Sequence, residues 1–211
     1  MLSKSIGVGL SMVVGALILM VVYSQPPNTS GGLLLSSRWD PDGSDYDQYV
    51  WDNFTLPIDR AISEIHWRGG FDPARSGSGG PVVDFAVSIY PSIPGGSQPD
   101  VVNPPLVEYL AGGNAGQTPA GKFGGVDMYD YTLTLPTAFQ AVAGTKYWVQ
   151  IEALQHGLPD WGIAVGTQGN HWYFRRYYNG GDLYYQLVAN DAAFSLYSTA
   201  DFAVFLPLIK Q

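Results

Sequence analysis

The chain has 211 residues, no cysteine, and 18 acidic side chains against 10 Lys and Arg, for a formal net charge of −8. That balance repels polyanions and excludes nucleic-acid recognition through a basic footprint, while the lack of cysteine excludes a disulfide-stapled scaffold and leaves stability to a packed core. Charged residues are only 13% of the chain whereas Gly (26) and Tyr (14) abound, a composition that favours strands and turns over solvated helices.

Lys4 is the only charge in the first two dozen residues, and residues 6–22 (IGVGLSMVVGALILMVV) form an uncharged apolar run. The run is longer than the roughly 7–15 residues of a signal h-region and a little short of the roughly 20 of a spanning helix. Residues 1–24 therefore read as a hydrophobic export helix. It is either a signal peptide cut between Ser24 and Gln25 or an uncleaved membrane anchor, and both place the remainder outside the cytoplasm, secreted or at the cell surface. Residues 25–32 (QPPNTSGG) read as a flexible spacer. Residues 33–200 are long enough for one β-sandwich domain.

From residue 33 the chain is a series of short β-prone runs punctuated by Gly, Pro, Asn and Asp, the rhythm of an antiparallel β-sandwich of jelly-roll type. After a first strand at 33–37, Asp40, Asp42, Asp45 and Asp47 place four carboxylates around Gly43. These are hard oxygen ligands of the kind Ca²⁺ prefers, so a structural calcium site is one expectation and a solvated Asx-rich turn the other. The spacing is not that of an EF-hand, because Trp51 stands where the twelfth-position Glu belongs.

Strands follow at 49–55 and at 61–68, where Ile65 and Trp67 face inward against Glu64, His66 and Arg68. At 83–90, Phe85, Val87 and Ile89 alternate with Asp84, Ala86 and Ser88, so that one face is buried and the other wet. Connections 69–81 and 91–105 are rich in Gly, Ser and Pro and read as surface loops. A strand at 106–111 is followed by Gly116 to Lys122, which imitates a phosphate loop, but Phe123 replaces the Ser or Thr needed for Mg²⁺ and the segment reads as a turn. Further strands are expected at 129–135, 146–153, 161–165, 172–178, 183–188 and 193–197. In the 146–153 strand Tyr147, Val149 and Ile151 are the buried set and Trp148, Gln150 and Glu152 the wet one. Asn179-Gly180-Gly181 supplies a hairpin turn. Residues 201–211 form an apolar tail that Pro207 confines to an edge strand or a docking segment.

Between Trp161 and Tyr185 the chain holds eight aromatic residues. Flat exposed rings bind sugar faces, so Trp161, Trp172, Tyr173, Tyr177 and Tyr184, with Arg175 for hydrogen bonding, are the candidate ligand-binding set; cross-strand core packing is the competing role. Catalytic signals are weak. Glu64, Glu108 and Glu152 are the only glutamates, Glu64 and Glu152 fall on the polar side of their strands, and His66, His156 and His171 lack zinc-ligand spacing. No G-x-S-x-G elbow occurs. No catalytic residue is assigned.

Asp52-Asn53-Phe54-Thr55-Leu56, followed by Ile62, Ile65 and Trp67, resembles the opening strands of secreted bacterial jelly-roll modules. Ala143-Gly144-Thr145-Lys146-Tyr147-Trp148 resembles a late strand of the same modules and is similar to carbohydrate-binding-like and pre-peptidase C-terminal domains. The resemblance implies a non-catalytic extracellular β-sandwich that binds a glycan or cell-envelope polymer or serves as a surface component. Self-association through a sheet edge or the C-terminal tail is the alternative, and a polysaccharide hydrolase the third reading.

Overall fold

The computed structural model describes residues 16–40, 47–77 and 81–202. Among them are fifteen strands and no helix: β1 (Ala16–Gln25), β2 (Leu33–Leu35), β3 (Ser37–Trp39), β4 (Tyr49–Thr55), β5 (Arg60–Phe71), β6 (Asp84–Pro91), β7 (Val107–Leu110), β8 (Thr118–Phe123), β9 (Val126–Ala141), β10 (Lys146–Gln155), β11 (Trp161–Gly166), β12 (Trp172–Asn179), β13 (Asp182–Ala189), β14 (Asp191–Ala192) and β15 (Phe194–Phe202). They form two sheets. In the first, β5 is the axis: it pairs along one edge with β15 and then β11, and along the other with β9, which carries β8. β1 extends this sheet beyond β15, and β2 and β14 border β11. The second sheet runs β13-β12-β4-β10-β6-β7, with β3 against β10 as the one parallel pair. The expected all-β sandwich is the observed architecture.

Period-two alternation explains the layer between the sheets. Phe85, Val87 and Ile89 of β6, Tyr147, Val149 and Ile151 of β10, and Phe54 of β4 meet Ile65 and Trp67 of β5, Tyr131 and Leu133 of β9, and Phe194 and Leu196 of β15 in one buried cluster. At its centre Phe85 stands edge-on to Trp67, Tyr131 and Trp161, with ring centroids 4.9 to 5.2 Å apart. Each such pair adds about 0.5–1.5 kcal/mol beyond the area it buries. The fit is close: a Cβ on Gly69 of β5 would come within 2.2 Å of the Trp161 ring, so glycine alone lets that strand cross the indole.

Three expectations differ from the structure. Residues 16–25, the end of the expected export helix and the first spacer residue, form strand β1 paired with β15. Val22 and Tyr23 pack on the core and Gln25 is buried, because the open edge of β15 offers hydrogen bonds and apolar cover to an extended, β-branched segment. Residues 1–15 lie outside the described residues. The spacer is tied down further on, where Pro27 bridges Gly166 and the Asn28 N–H donates to the Val165 carbonyl at 2.8 Å. The expected turn at Gly116 to Lys122 contains strand β8, an edge strand broken by a bulge between Pro119 and Gly121. Residues 203–211 of the apolar tail lie outside the described residues, while residues 201–202 complete β15.

Candidate functional site

The outer face of the second sheet is not the wet surface that alternation implies. Trp51, Trp148 and Phe174, from three adjacent strands, form a second buried cluster with Tyr49, Tyr90 and Val101 against it. The 92–106 connection folds over this face: the Trp148 indole N–H donates to Ser92 Oγ (2.8 Å) and Lys146 Nζ donates to the Gly96 carbonyl (3.1 Å). Beside this cover lies a cleft of about 200 Å³ lined by Arg38, Tyr49, Trp51, Tyr90, Val101, Glu108, Gln150, Glu152 and Tyr185. The register explains the grouping. Gln150 of β10 lies opposite Ser88 of β6, which lies opposite Glu108 of β7, so one row crosses three strands on one face, with Glu152 two residues along.

Glu152 was expected on the solvated side and is instead 5% exposed. Its Oε1 is buried without a hydrogen-bond partner, and the Arg38 Nε stands 3.8 Å from it, beyond hydrogen-bonding reach. Burial pushes the Glu152 carboxyl up to about 7; Arg38 opposes this, while Asp47 and Glu108 reinforce it. Ser88 Oγ donates to Glu108 Oε2 at 3.3 Å. Burial also raises the Tyr90 hydroxyl, helped by Glu108 and Glu152, and raises that of Tyr49, helped by Glu152 and Asp47. The cleft thus combines ring edges, a guanidinium, an amide and two carboxyl groups, one of them poised to be neutral or charged near neutral pH.

The sequence-predicted ring set is divided by the fold. Trp161 is fully buried, donating its indole N–H to the Tyr131 hydroxyl (3.1 Å), and Tyr173 is 4% exposed between the sheets. Both are core residues rather than ligand platforms, because β11 and β12 turn these rings inward. Arg175, Tyr177 and Tyr184 do come together on the β12–β13 hairpin: the guanidinium sits 4.1 Å over the Tyr177 ring, which stacks on Tyr184 at 5.4 Å. Trp172 is 47% exposed and, by strand alternation, on the opposite side of that hairpin. Of the expected calcium ligands, Asp42 and Asp45 lie outside the described residues. Asp40 is exposed. Asp47 accepts from the Trp39 N–H (3.2 Å) and the Tyr49 hydroxyl (3.3 Å), so it also latches β3 to β4. Among the described residues no group of three metal-ligating side chains converges.

Sequence reasoning missed the cleft as a unit, although Glu108, Glu152 and Tyr185 were each on view. The available signal was in β4, where Val50, Trp51 and Phe54 break simple alternation, as strands covered on both faces do. Asn53 is buried in the same strand, its Nδ2 donating to the Trp172 carbonyl (3.2 Å).

No curated protein sequence and no solved structure matches the chain. Residues 21–175, more than half of the chain and all of the cleft except Tyr185, match the family described as a domain of unknown function, DUF7901, and the chain belongs to that family.

Proposed function

We propose that the domain is a non-catalytic extracellular or cell-surface module whose outer-face cleft binds one sugar unit of a glycan or cell-envelope polymer. The observation that carries this reading is the composition of the cleft: Tyr49, Tyr90 and Tyr185 rings stand beside Arg38, Glu108, Gln150 and Glu152. Sugars present an apolar ring face and a rim of hydroxyls, so they need both kinds of partner. The volume is below the roughly 300–1,000 Å³ that encloses a drug-sized ligand, which suits a single residue of a chain lying across the sheet. The apolar run at residues 6–22 supports an exported location.

Binding of soluble oligosaccharides to the full chain, screened on a glycan array and measured by calorimetry, tests the reading. Tyr185→Ala and Arg38→Ala should each weaken binding by about tenfold, or roughly 1.4 kcal/mol. Absence of any glycan hit, or unchanged binding in both variants, overturns it.

A second reading, hydrolysis of a glycosidic bond in the same cleft, is favoured by two carboxyl groups lining it, one with its acidity moved to near neutrality by burial. Release of reducing sugar that is lost in Glu152→Gln while oligosaccharide binding to that variant is retained in calorimetry would establish it. A structural calcium at Asp40, Asp42, Asp45 and Asp47 rests on their hard oxygen chemistry; a Tm raised by Ca²⁺ and lowered again by chelator supports it, and an unchanged Tm ends it.

A further inference from the structure

Strand β13 is an open edge of the second sheet, and it lacks the features that normally protect such an edge. Among the described residues its only strand partner is β12. Its pairing is regular through all eight residues, with no bulge and no proline. Leu183, Tyr184, Tyr185 and Leu187 are each at least 40% exposed. The other edges are blunted: β8 has Pro119, a bulge and the Lys122–Asp127 ion pair, β7 is four residues long, and β1 is bulged between Val21 and Tyr23. Long, flat apolar edges are templates for a further strand.

The hairpin geometry says which main-chain groups are free. The two-residue turn Gly180-Gly181, with φ of +63° and +104°, closes on the pair Asn179 and Asp182. That closing pair is a hydrogen-bonded one, so by alternation Tyr184 and Gln186 bond to β12, while the N–H and C=O groups of Leu183, Tyr185 and Leu187 point away from it.

We propose that β13 pairs antiparallel with β13 of a second copy about a two-fold axis at Tyr185, joining two second sheets into one. Tyr185 then faces Tyr185 of the second copy, Leu183 faces Leu187, and Tyr184 faces Gln186. A two-fold axis perpendicular to the sheet keeps outer faces together, so like faces meet throughout. Charge argues for a second copy in this register. The chain carries a net charge of −8, which opposes random self-contact, yet the strand holds one charge, Asp182, and the pairing sets it against Val188 rather than against another carboxylate. Tyr185 also lines the cleft, so the pairing brings two clefts onto one continuous face either side of the axis. This consequence rests on the binding reading above; the pairing itself does not.

The chain contains no cysteine, so single cysteines report the contact directly. A hydrogen-bonded antiparallel pair has Cα atoms about 5.5 Å apart, within disulfide range. Light scattering of the full chain across a concentration series should give twice the mass of one chain, and Leu187→Lys, folded by circular dichroism, should return it to one. Mild oxidation should cross-link Tyr185→Cys and leave Val142→Cys, 54% exposed in the turn between β9 and β10, as single chains. A wild-type monomer at every concentration overturns the proposal, as does Tyr185→Cys cross-linking no faster than Val142→Cys. If removal of residues 203–211 abolishes the dimer while Leu187→Lys does not, the tail is the contact and the proposal fails. Where the glycan reading also holds, Leu187→Lys should lose affinity for long polymer but keep that for a short oligosaccharide.

Discussion

Two buried carboxyl groups show how position changes the behaviour of one residue type. Asp52 sits between the sheets, where Oδ2 accepts from the Ala192 N–H and Oδ1 from the Asn53 N–H, both at 2.6 Å. With its amide turned to satisfy all its partners, Gln25 donates to Asp52 Oδ2 (2.8 Å) and the Ala192 carbonyl (2.6 Å). Burial and the neighbouring Asp191 raise the Asp52 carboxyl, and the two N–H donors oppose that shift. Asp52→Asn would turn an NH₂ toward one of these donors and leave it unsatisfied; the expected loss is about 1–3 kcal/mol in urea unfolding. Glu152 lies on the other face of the sheet, and its raised value fixes the sign of a pH effect. The folded state holds the proton more tightly than the unfolded chain, so the stability Glu152 contributes is complete below its ordinary value of 4.5 and is lost as pH rises through about 7. Glu152→Gln should therefore flatten this part of the stability profile, measured as urea midpoints at a series of pH values; an unchanged slope would contradict the burial of this side chain. The three glutamates were legible as a short list in the sequence. That Glu152 alone of them is buried was not, because its surroundings, Arg38, Tyr49 and Glu108, reach it from other strands.

The strands themselves were legible to within a few residues wherever one side alternates cleanly, as in β6 and β10. The misread segments are those where alternation was not the signal. β8 carries Pro and Gly and forms because β9 is long enough to recruit it. β1 is largely apolar, a pattern shared by a buried strand, a core helix and an export signal; in the described residues it lies extended along the edge of β15. Cleavage after Ser24 would remove nearly all of β1, including the Tyr23 ring that packs 5.9 Å from Phe54 and 5.6 Å from Phe194, and uncover the side of β15. A chain beginning at Gln25 is expected to melt at a lower temperature than the full chain, since a strand's hydrogen bonds and two packed side chains are lost. Equal Tm values would show that β1 adds nothing to the sandwich, and the mass of the exported protein reports which form exists.

At the scale of the molecule, stability rests on one aromatic-rich layer between two sheets with no covalent cross-link. Phe85 is at its centre, fully buried and in edge contact with three rings, so Phe85→Ala should cost about 3–5 kcal/mol in chemical denaturation; a loss below 1 kcal/mol would place the core elsewhere. The sequence by itself determined the fold class, the lack of disulfides, the acidic field and the inward sets Phe85, Val87, Ile89 and Tyr147, Val149, Ile151, because period-two burial is a local property of each strand. Only the tertiary structure decided which outer faces are dry, that Arg38, Glu108, Glu152 and Tyr185 share one cleft while Trp161 and Tyr173 do not, and which edge remains open. Those depend on strand order and on how the 92–106 connection folds over the second sheet, and both are set by contacts between residues far apart in the chain.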